Sequence, residues 1–267
     1  MTCTFLCDYN NTKELKEMLL CSLSRIDSRV CDLDPAGAYT LREFNDFSVL
    51  LIDGSKCGCK SAASAYNEAT RKFCDRLGDV LCFVHQDIFF MSADVVQRIE
   101  RYFFDNELQL LGLAGINDAG VVLSNLKYKS DDQYITKNQL TVKSPCVSLD
   151  ECCIFVKKSL FLDVRFDEIT CAHWHLYAVD LCLSAFCKLK AQSFVLPDIE
   201  CYHKQVPGGL SVDRDFLDTM YKLSRKYRAD FRKIYAPCYV CPTFFPLAWL
   251  RIFRSRIKNF FNCFAKC

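Results

Sequence analysis

An α/β fold, with a mixed but mostly parallel sheet flanked by helices, is the architecture this chain predicts, and three observations predict it. Unbroken apolar runs at Cys3 to Cys7, Ser48 to Ile52 and Val80 to Val84 read as strands buried on both faces. The segments between them carry helical periodicity, which makes right-handed parallel crossovers the expected connection. Each run also leads into an aspartate: Asp8, Asp53 and Asp87. Parallel strands joined in this way place their carboxyl ends on one sheet edge, where open α/β sheets bind ligands. Aspartate is common in turns and caps for local reasons. Three aligned ends, one of them inside His85-Gln86-Asp87, favour a shared site instead.

The elements follow in order. Asn11 and Glu14 give a capping-box-like start, after which Leu15, Met18, Leu19 and Ile26 recur at helical spacing. A less regular stretch, 27–46, holds a turn signal at Pro35-Ala36-Gly37. Ser61 opens a helix whose Ala62, Ala65, Tyr66, Ala69 and Phe73 share one face. Asp94 to Phe104 is amphipathic through Val95, Val96, Ile99 and Phe103. Leu110 to Ile116 reads as a fourth strand, with Gly112 and Gly115 permitting close backbone approach. Lys127 to Ser144 is a polar surface excursion and a candidate acceptor-side loop. Further strands are expected at Cys152 to Val156 and Phe194 to Leu196.

Composition narrows the function classes. The chain has 267 residues, 51% hydrophobic and 25% charged, which fits one large domain or one domain plus a tail. A net charge of +2 gives no reason to expect a nucleic-acid partner. The start lacks the basic and apolar stretches of a secretory signal, so the 19 scattered cysteines are expected to be reduced thiols acting as small buried hydrophobes. Cys57-x-Cys59 and Cys238-x-x-Cys241 bind zinc only if the two pairs meet in space. No apolar run reaches the roughly 18–20 residues that span a bilayer. A cytoplasmic protein, or one seated on the inner membrane surface, is the expectation.

The second half carries more candidates. Asp180 is the only acidic residue between Glu168 and Asp198 and sits in the apolar run Leu176 to Leu183. Burying it needs a partner, and capping a helix or pairing with Lys188 or Lys190 both remain open. His173-Trp174-His175 sets imidazoles beside an aromatic ring. His203 stands at the mouth of a basic Lys204 to Gly209 loop, which suits a late metal ligand under a mobile lid. After Asp230 no acidic residue occurs, while Arg232, Lys233, Arg251, Arg254, Arg256, Lys258 and Lys266 alternate with aromatic and aliphatic residues from Phe244 to Phe264. Such a basic amphipathic tail, 231–267, suits an anionic membrane surface, or a helix packed on the domain with its charges solvated.

One ordered set of residues resembles a known family. It comprises Tyr66-Asn67-Glu68-Ala69, Phe83 to Ile88, Leu113-Ala114-Gly115, Leu149-Asp150, Phe166-Asp167-Glu168, His175-Leu176-Tyr177 with Asp180-Leu181, and His203. Over roughly Cys3 to His203 the chain resembles bacterial family-2-like glycosyltransferases of GT-A fold. The resemblance implies one Rossmann-like domain, 1–230, with a nucleotide-sugar half to about 116 and an acceptor half beyond it. His85-Gln86-Asp87 occupies the place of the family's Asp-x-Asp motif, with His in place of the first Asp. Asp87 and His203 then become ligands for Mn²⁺ or Mg²⁺. Cys7, Asp8, Tyr9, Asp53, Asn67, His85 and Gln86 fall on the nucleotide-sugar side. Gly115, Glu168, His175 and Tyr177 fall on the acceptor or sugar side, and Asp180 at the general base of inverting members. The implied activity is metal-dependent, inverting transfer from a nucleotide-diphosphate sugar to a hydroxyl of a glycan or lipid-linked acceptor, in cell-surface glycan or polysaccharide synthesis. The rivals are a non-catalytic binding module of the same shape and a metal-dependent nucleotide-sugar hydrolase.

Overall fold

The structure, a computed structural model, describes residues 1–104, 108–136, 139–204 and 212–264, with side chains to residue 259. The lid expected over 204–209 lies outside the described residues beyond Lys204.

An eight-stranded mixed sheet forms the centre. Its order is Ser144–Cys146, Ser193–Val195, Leu110–Gly112, Cys153–Lys157, Val80–Val84, Cys3–Tyr9, Phe47–Asp53 and Tyr39–Glu43. Five strands run one way, and those at Tyr39–Glu43, Cys153–Lys157 and Ser144–Cys146 run against them. The period-two alternation of strand side chains explains why the central runs are apolar throughout. Phe5, Val49 and Cys82 point to one side, into a core with Leu15, Leu19, Val96, Ile99 and Phe103. Leu6, Leu50, Leu81 and Phe83 point to the other, into a core with Tyr66, Ala69, Phe161, Phe166 and Ala185. Helices cover both faces.

The helix Ala62–Phe73 begins as the sequence indicates. The Ser61 hydroxyl accepts from Ser64 N at 3.1 Å, and Ser61 N donates to the Ser64 hydroxyl at 3.1 Å, a reciprocal cap. The cap at Asn11 is only half of the expected box. Its side chain accepts from Glu14 N at 3.1 Å, whereas the Glu14 carboxylate turns to Gln86 and Lys204. Helix Thr12–Leu15 then continues through a π turn, Lys16–Leu20, into Cys21–Leu23.

Leu110 to Ile116 is two strands, not one. Leu110–Gly112 belongs to the central sheet, and Ala114–Ile116 pairs with Ser148–Leu149 and Val122–Ser124 in a smaller one. Gly112 stands at the switch, where a Cβ would come within 2.7 Å of the Leu149 side chain and 3.1 Å of Cys153 O. Part of the expected surface excursion is also built in, because Lys127–Tyr128 pairs with Cys201–His203.

The segment beyond 230 opens with a hairpin, Lys233–Ala236 and Tyr239–Pro242, followed by helix Phe245–Phe264. Ile234, Ala236, Tyr239, Cys241, Ala248 and Ile252 share a third core with Leu176, Val179, Leu183, Leu217 and Met220. Ten of the described cysteines are buried, and all are free thiols. The pairs Cys57/Cys59 and Cys238/Cys241 pack against different cores and form no metal-binding group among the described residues. No described helix is long and apolar enough to cross a membrane.

Candidate functional site

The parallel register sets Tyr9 beside Asp53 and Leu6 beside Phe83. The strand ends carrying Asp8, Asp53 and His85-Gln86-Asp87 therefore meet on one edge. A cleft of about 520 Å³ opens there, lined by Asp8, Tyr9, Asn10, Glu14, Gly54, Ser55, Ala62, Tyr66, His85, Gln86, Asp87, Trp174 and Tyr177. That volume is within the range of small-ligand sites, about 300–1,000 Å³.

One corner of the cleft gathers three metal-ligating side chains. Ligand atoms of His85, Asp87 and His203 all lie within 4.8 Å of one another. Strand pairing explains how a residue from the second half arrives there. Cys201–His203 runs antiparallel to Ile88–Phe90 with His203 opposite Ile88, and Lys204 N donates to Asp87 O at 3.2 Å. His203 Nε2 then lies 3.2 Å from Asp87 Oδ2. His85 is held by Tyr177, whose hydroxyl is 3.2 Å from its Nε2.

The charges of this corner suit a cation. Burial pushes the Asp87 carboxyl up, but the hydrogen bond and charge of His203, with His85 beside it, hold it below its ordinary range. Desolvation lowers His85 more than Asp87 raises it, which keeps that imidazole neutral and able to ligate. Burial also lowers His203, but Asp87 more than compensates, so this imidazole favours its proton and gives it up to ligate a metal. One carboxylate and two imidazoles fit a divalent first-row ion such as Mn²⁺; Mg²⁺ prefers oxygen ligands throughout.

Asp8 is the second notable group. Both of its carboxylate oxygens are buried, and neither has a hydrogen-bond partner. Its backbone is fixed by Asp8 N donating to the Tyr66 hydroxyl at 3.3 Å. Burial, with Asp53 adding repulsion, raises its carboxyl from 3.8 to about 7. Buried polar groups without partners are rare, and this one borders the cleft. Gly54 makes room for it, since a Cβ there would approach Asp8 Oδ1 to 2.9 Å and the Trp174 ring to 3.6 Å.

Gln86 braces the rim. Its Oε1 accepts from Asn10 N and Asn11 N at 3.0 and 3.1 Å, and its Nε2 donates to Asn10 Oδ1 and Glu14 Oε2 at 2.9 and 3.0 Å. The middle residue of the strand-end turn thus ties the start of the first helix to the corner of His85, Asp87 and His203.

Other expected site residues stand elsewhere. Asp53 is not on the cleft wall: it accepts from Ser55 N at 3.0 Å and the Tyr9 hydroxyl at 3.3 Å, and pairs with Lys56 at 2.7 Å. Burial opposes its ionisation, yet Lys56 and Ser55 draw its carboxyl down to about 2. Cys7 is buried in the core, where desolvation raises its thiol well above the ordinary value. Asn67 and Glu168 bind each other, Nδ2 to Oε1 at 2.8 Å, and Asn67 also brackets the Phe166 backbone. Gly115 serves packing, because a Cβ there would fall 2.7 Å from Ser148 O. His175 pairs with Asp213 at 3.2 Å, away from the cleft wall.

Asp180 is also absent from the cleft. It lies fully buried in helix Tyr177–Leu189, where its Oδ1 accepts from Lys226 Nζ at 2.6 Å and the Tyr227 hydroxyl at 2.8 Å. Burial raises its carboxyl, and Lys226 only partly offsets that. Its partner is therefore neither Lys188 nor Lys190 but Lys226, which also binds Asp167 at 2.8 Å. Conversely, Asn10, Glu14, Gly54, Ser55, Ala62, Tyr66 and Trp174 line the cleft without having been singled out as site residues. The flanks of the strand-end turns were the available signal for Asn10, Gly54 and Ser55, and His173-Trp174-His175 for Trp174.

Solved structures share this architecture. The chain is similar to TarS 1-349 of S. aureus in complex with UDP-GlcNAc, with a TM-score of 0.52 and 14% identity, over 86% of this chain and 68% of that one. It is similar to the mannosyltransferase PcManGT of Pyrobaculum calidifontis in complex with GDP-Man and Mn²⁺, with a TM-score of 0.51 and 12% identity, over 94% and 69%. It is similar to GalNAc-T7 with UDP, GalNAc and Mn²⁺, with a TM-score of 0.50 and 9% identity, over 84% of this chain but 48% of that one. The fold is accordingly that of the GT-A glycosyltransferases. No family model matches the chain, and no curated protein matches it in sequence.

Proposed function

We propose that the protein is a metal-dependent glycosyltransferase that takes a nucleotide-diphosphate sugar in the cleft below Asp8 and transfers the sugar to a hydroxyl of a glycan or lipid-linked acceptor. The observation that carries this reading is the grouping of His85, Asp87 and His203 at the strand edge of a GT-A fold. When bound there, a divalent ion, in our reading Mn²⁺ before Mg²⁺, supplies charge neutralisation for the departing diphosphate. His85, Asp87 and His203 are its proposed ligands. Asp8, once ionised, offers two acceptor oxygens to N–H or O–H groups of the donor, Trp174 offers an aromatic face, and Gln86 keeps the first helix in place against them. We read the transfer as an inverting displacement, with the acceptor hydroxyl giving its proton to a carboxylate of the cleft. The enclosure of Asp180 by Lys226 and Tyr227 argues against that residue as the base and for a stabilising role.

Release of nucleoside diphosphate from a panel of nucleotide sugars, in Mn²⁺ and with or without candidate acceptors, tests this reading. The native chain is expected to release nucleotide at a rate that rises with acceptor and disappears in Asp87→Ala. A rate indifferent to acceptor would make the protein a hydrolase. No release with any donor would make it a binding module. The anomeric configuration of the first product, followed by NMR, tests inversion.

A further inference from the structure

The helix Phe245–Phe264 is apolar on two faces, and only one of them packs on the protein. Ala248 and Ile252 are buried in the core shared with helix Arg214–Lys226 and the preceding hairpin. A second stripe at four-residue spacing faces solvent: Phe245, Trp249, Phe253 and Ile257 are 54%, 50%, 45% and 41% exposed. At 3.6 residues per turn these side chains share one face, about 100° round the helix from Ala248 and Ile252. The Trp249 and Phe253 rings stack on one another, 5.0 Å between centroids and 8° between planes. A surface helix ordinarily carries polar groups on its solvent face, and a contiguous exposed aromatic stripe marks an interaction surface.

Charge says what covers it. Arg254 and Lys258 are exposed along one flank of the stripe, and Arg256 lies on the other, paired with Asp218. No acidic residue follows Asp230. A second copy docked on this stripe by twofold symmetry would set a basic flank against a basic flank, a like-charge arrangement. An anionic lipid surface meets the basic flanks with opposite charge and takes the aromatic rings at headgroup depth. We propose that this face of helix Phe245–Phe264 is the docking surface for a bilayer rich in anionic phospholipid, on which the helix lies flat. The inference does not depend on the transferase reading, because it is drawn from the opposite end of the chain and tested without substrate.

The test is co-sedimentation of the full chain with vesicles of phosphatidylcholine alone and of phosphatidylcholine with phosphatidylglycerol. The native protein is expected to pellet with the anionic vesicles only, and less as salt rises. Trp249→Ser/Phe253→Ser and Arg254→Glu/Lys258→Glu are expected to weaken binding, the charge reversal by more than about twentyfold at roughly fivefold per basic side chain. All four side chains are exposed, so melting temperatures should hold. Should the aromatic variant melt early, the charge reversal and the salt titration carry the test alone. Native protein left in the supernatant, equal binding to neutral vesicles, or charge-reversed protein that binds like native overturns the proposal. So does a native dimer, seen by light scattering, that Trp249→Ser/Phe253→Ser dissociates, since a second copy would then be the occupant.

Discussion

Asp8 and Asp180 are both buried carboxylates whose ionisation burial opposes, yet they stand in opposite circumstances. Asp180 is enclosed by Lys226 and Tyr227, so its charge is matched from within the chain. Asp8 has no partner for either oxygen and borders an open cleft. A protein that leaves a carboxylate in that condition gives up stability unless something from outside completes it. Burial alone therefore does not separate a structural acid from a functional one. The location of the partner does.

Four substitutions break or sharpen this contrast. The largest effect is expected from Asp87→Ala. Loss of groups that merely support metal ligands costs about 10–100-fold, so loss of a ligand should lower Mn²⁺-dependent nucleotide release at least about a hundredfold. Melting temperature should fall as well, because His203 loses its buried partner, so release is read per folded molecule. Next, Asp180→Asn removes one half of a buried pair, at a cost of about 3 kcal/mol in stability. Calorimetry should show the drop, while turnover per folded molecule stays unchanged; a large loss of turnover at native stability would restore Asp180 as the base.

Asp8→Asn should do the reverse. Native Asp8 holds its proton to about pH 7, against 3.8 ordinarily, so the native state binds the extra proton between these values and stability falls as pH rises through that window. The amide does not titrate, so that loss should vanish and leave the variant more stable than native at pH 8. At pH 8, where native Asp8 is ionised, donor affinity should fall about tenfold, as expected for a hydrogen bond to a charged group. The smallest effect belongs to Trp174→Ala, which removes an exposed ring over the cleft. Donor affinity should fall about fivefold, in line with base–aromatic stacking, and stability should not move.

Much of the fold was legible because the central strands are apolar on both faces and the turns between them carry Asp, Asn and Gly. Cys3–Tyr9, Phe47–Asp53 and Val80–Val84 match the three runs within two residues, and their parallel register follows from the helices between them. Sequence did not show that Leu113 carries the chain from one sheet to another, because an apolar run looks the same on either side of the switch. Asp180 was open for a related reason. Its partner, Lys226, lies 46 residues away on a helix whose packing no local pattern announces. The reach of His203 to Asp87 depends likewise on the short pairing of Cys201–His203 with Ile88–Phe90. Asp53 was placed on the nucleotide-sugar side by the family resemblance. Lys56, one turn further on, claims it.

The central claim is that His85, Asp87 and His203 hold a divalent ion through which the cleft takes a nucleoside diphosphate. Isothermal titration of UDP and GDP into the native chain and into Asp87→Ala, each in Mn²⁺ and in EDTA, addresses it directly. The expected result is binding of at least one nucleotide by the native chain in Mn²⁺ alone, lost in EDTA and in the variant. Binding as tight in EDTA as in Mn²⁺, or no nucleotide binding with the metal present, would contradict it.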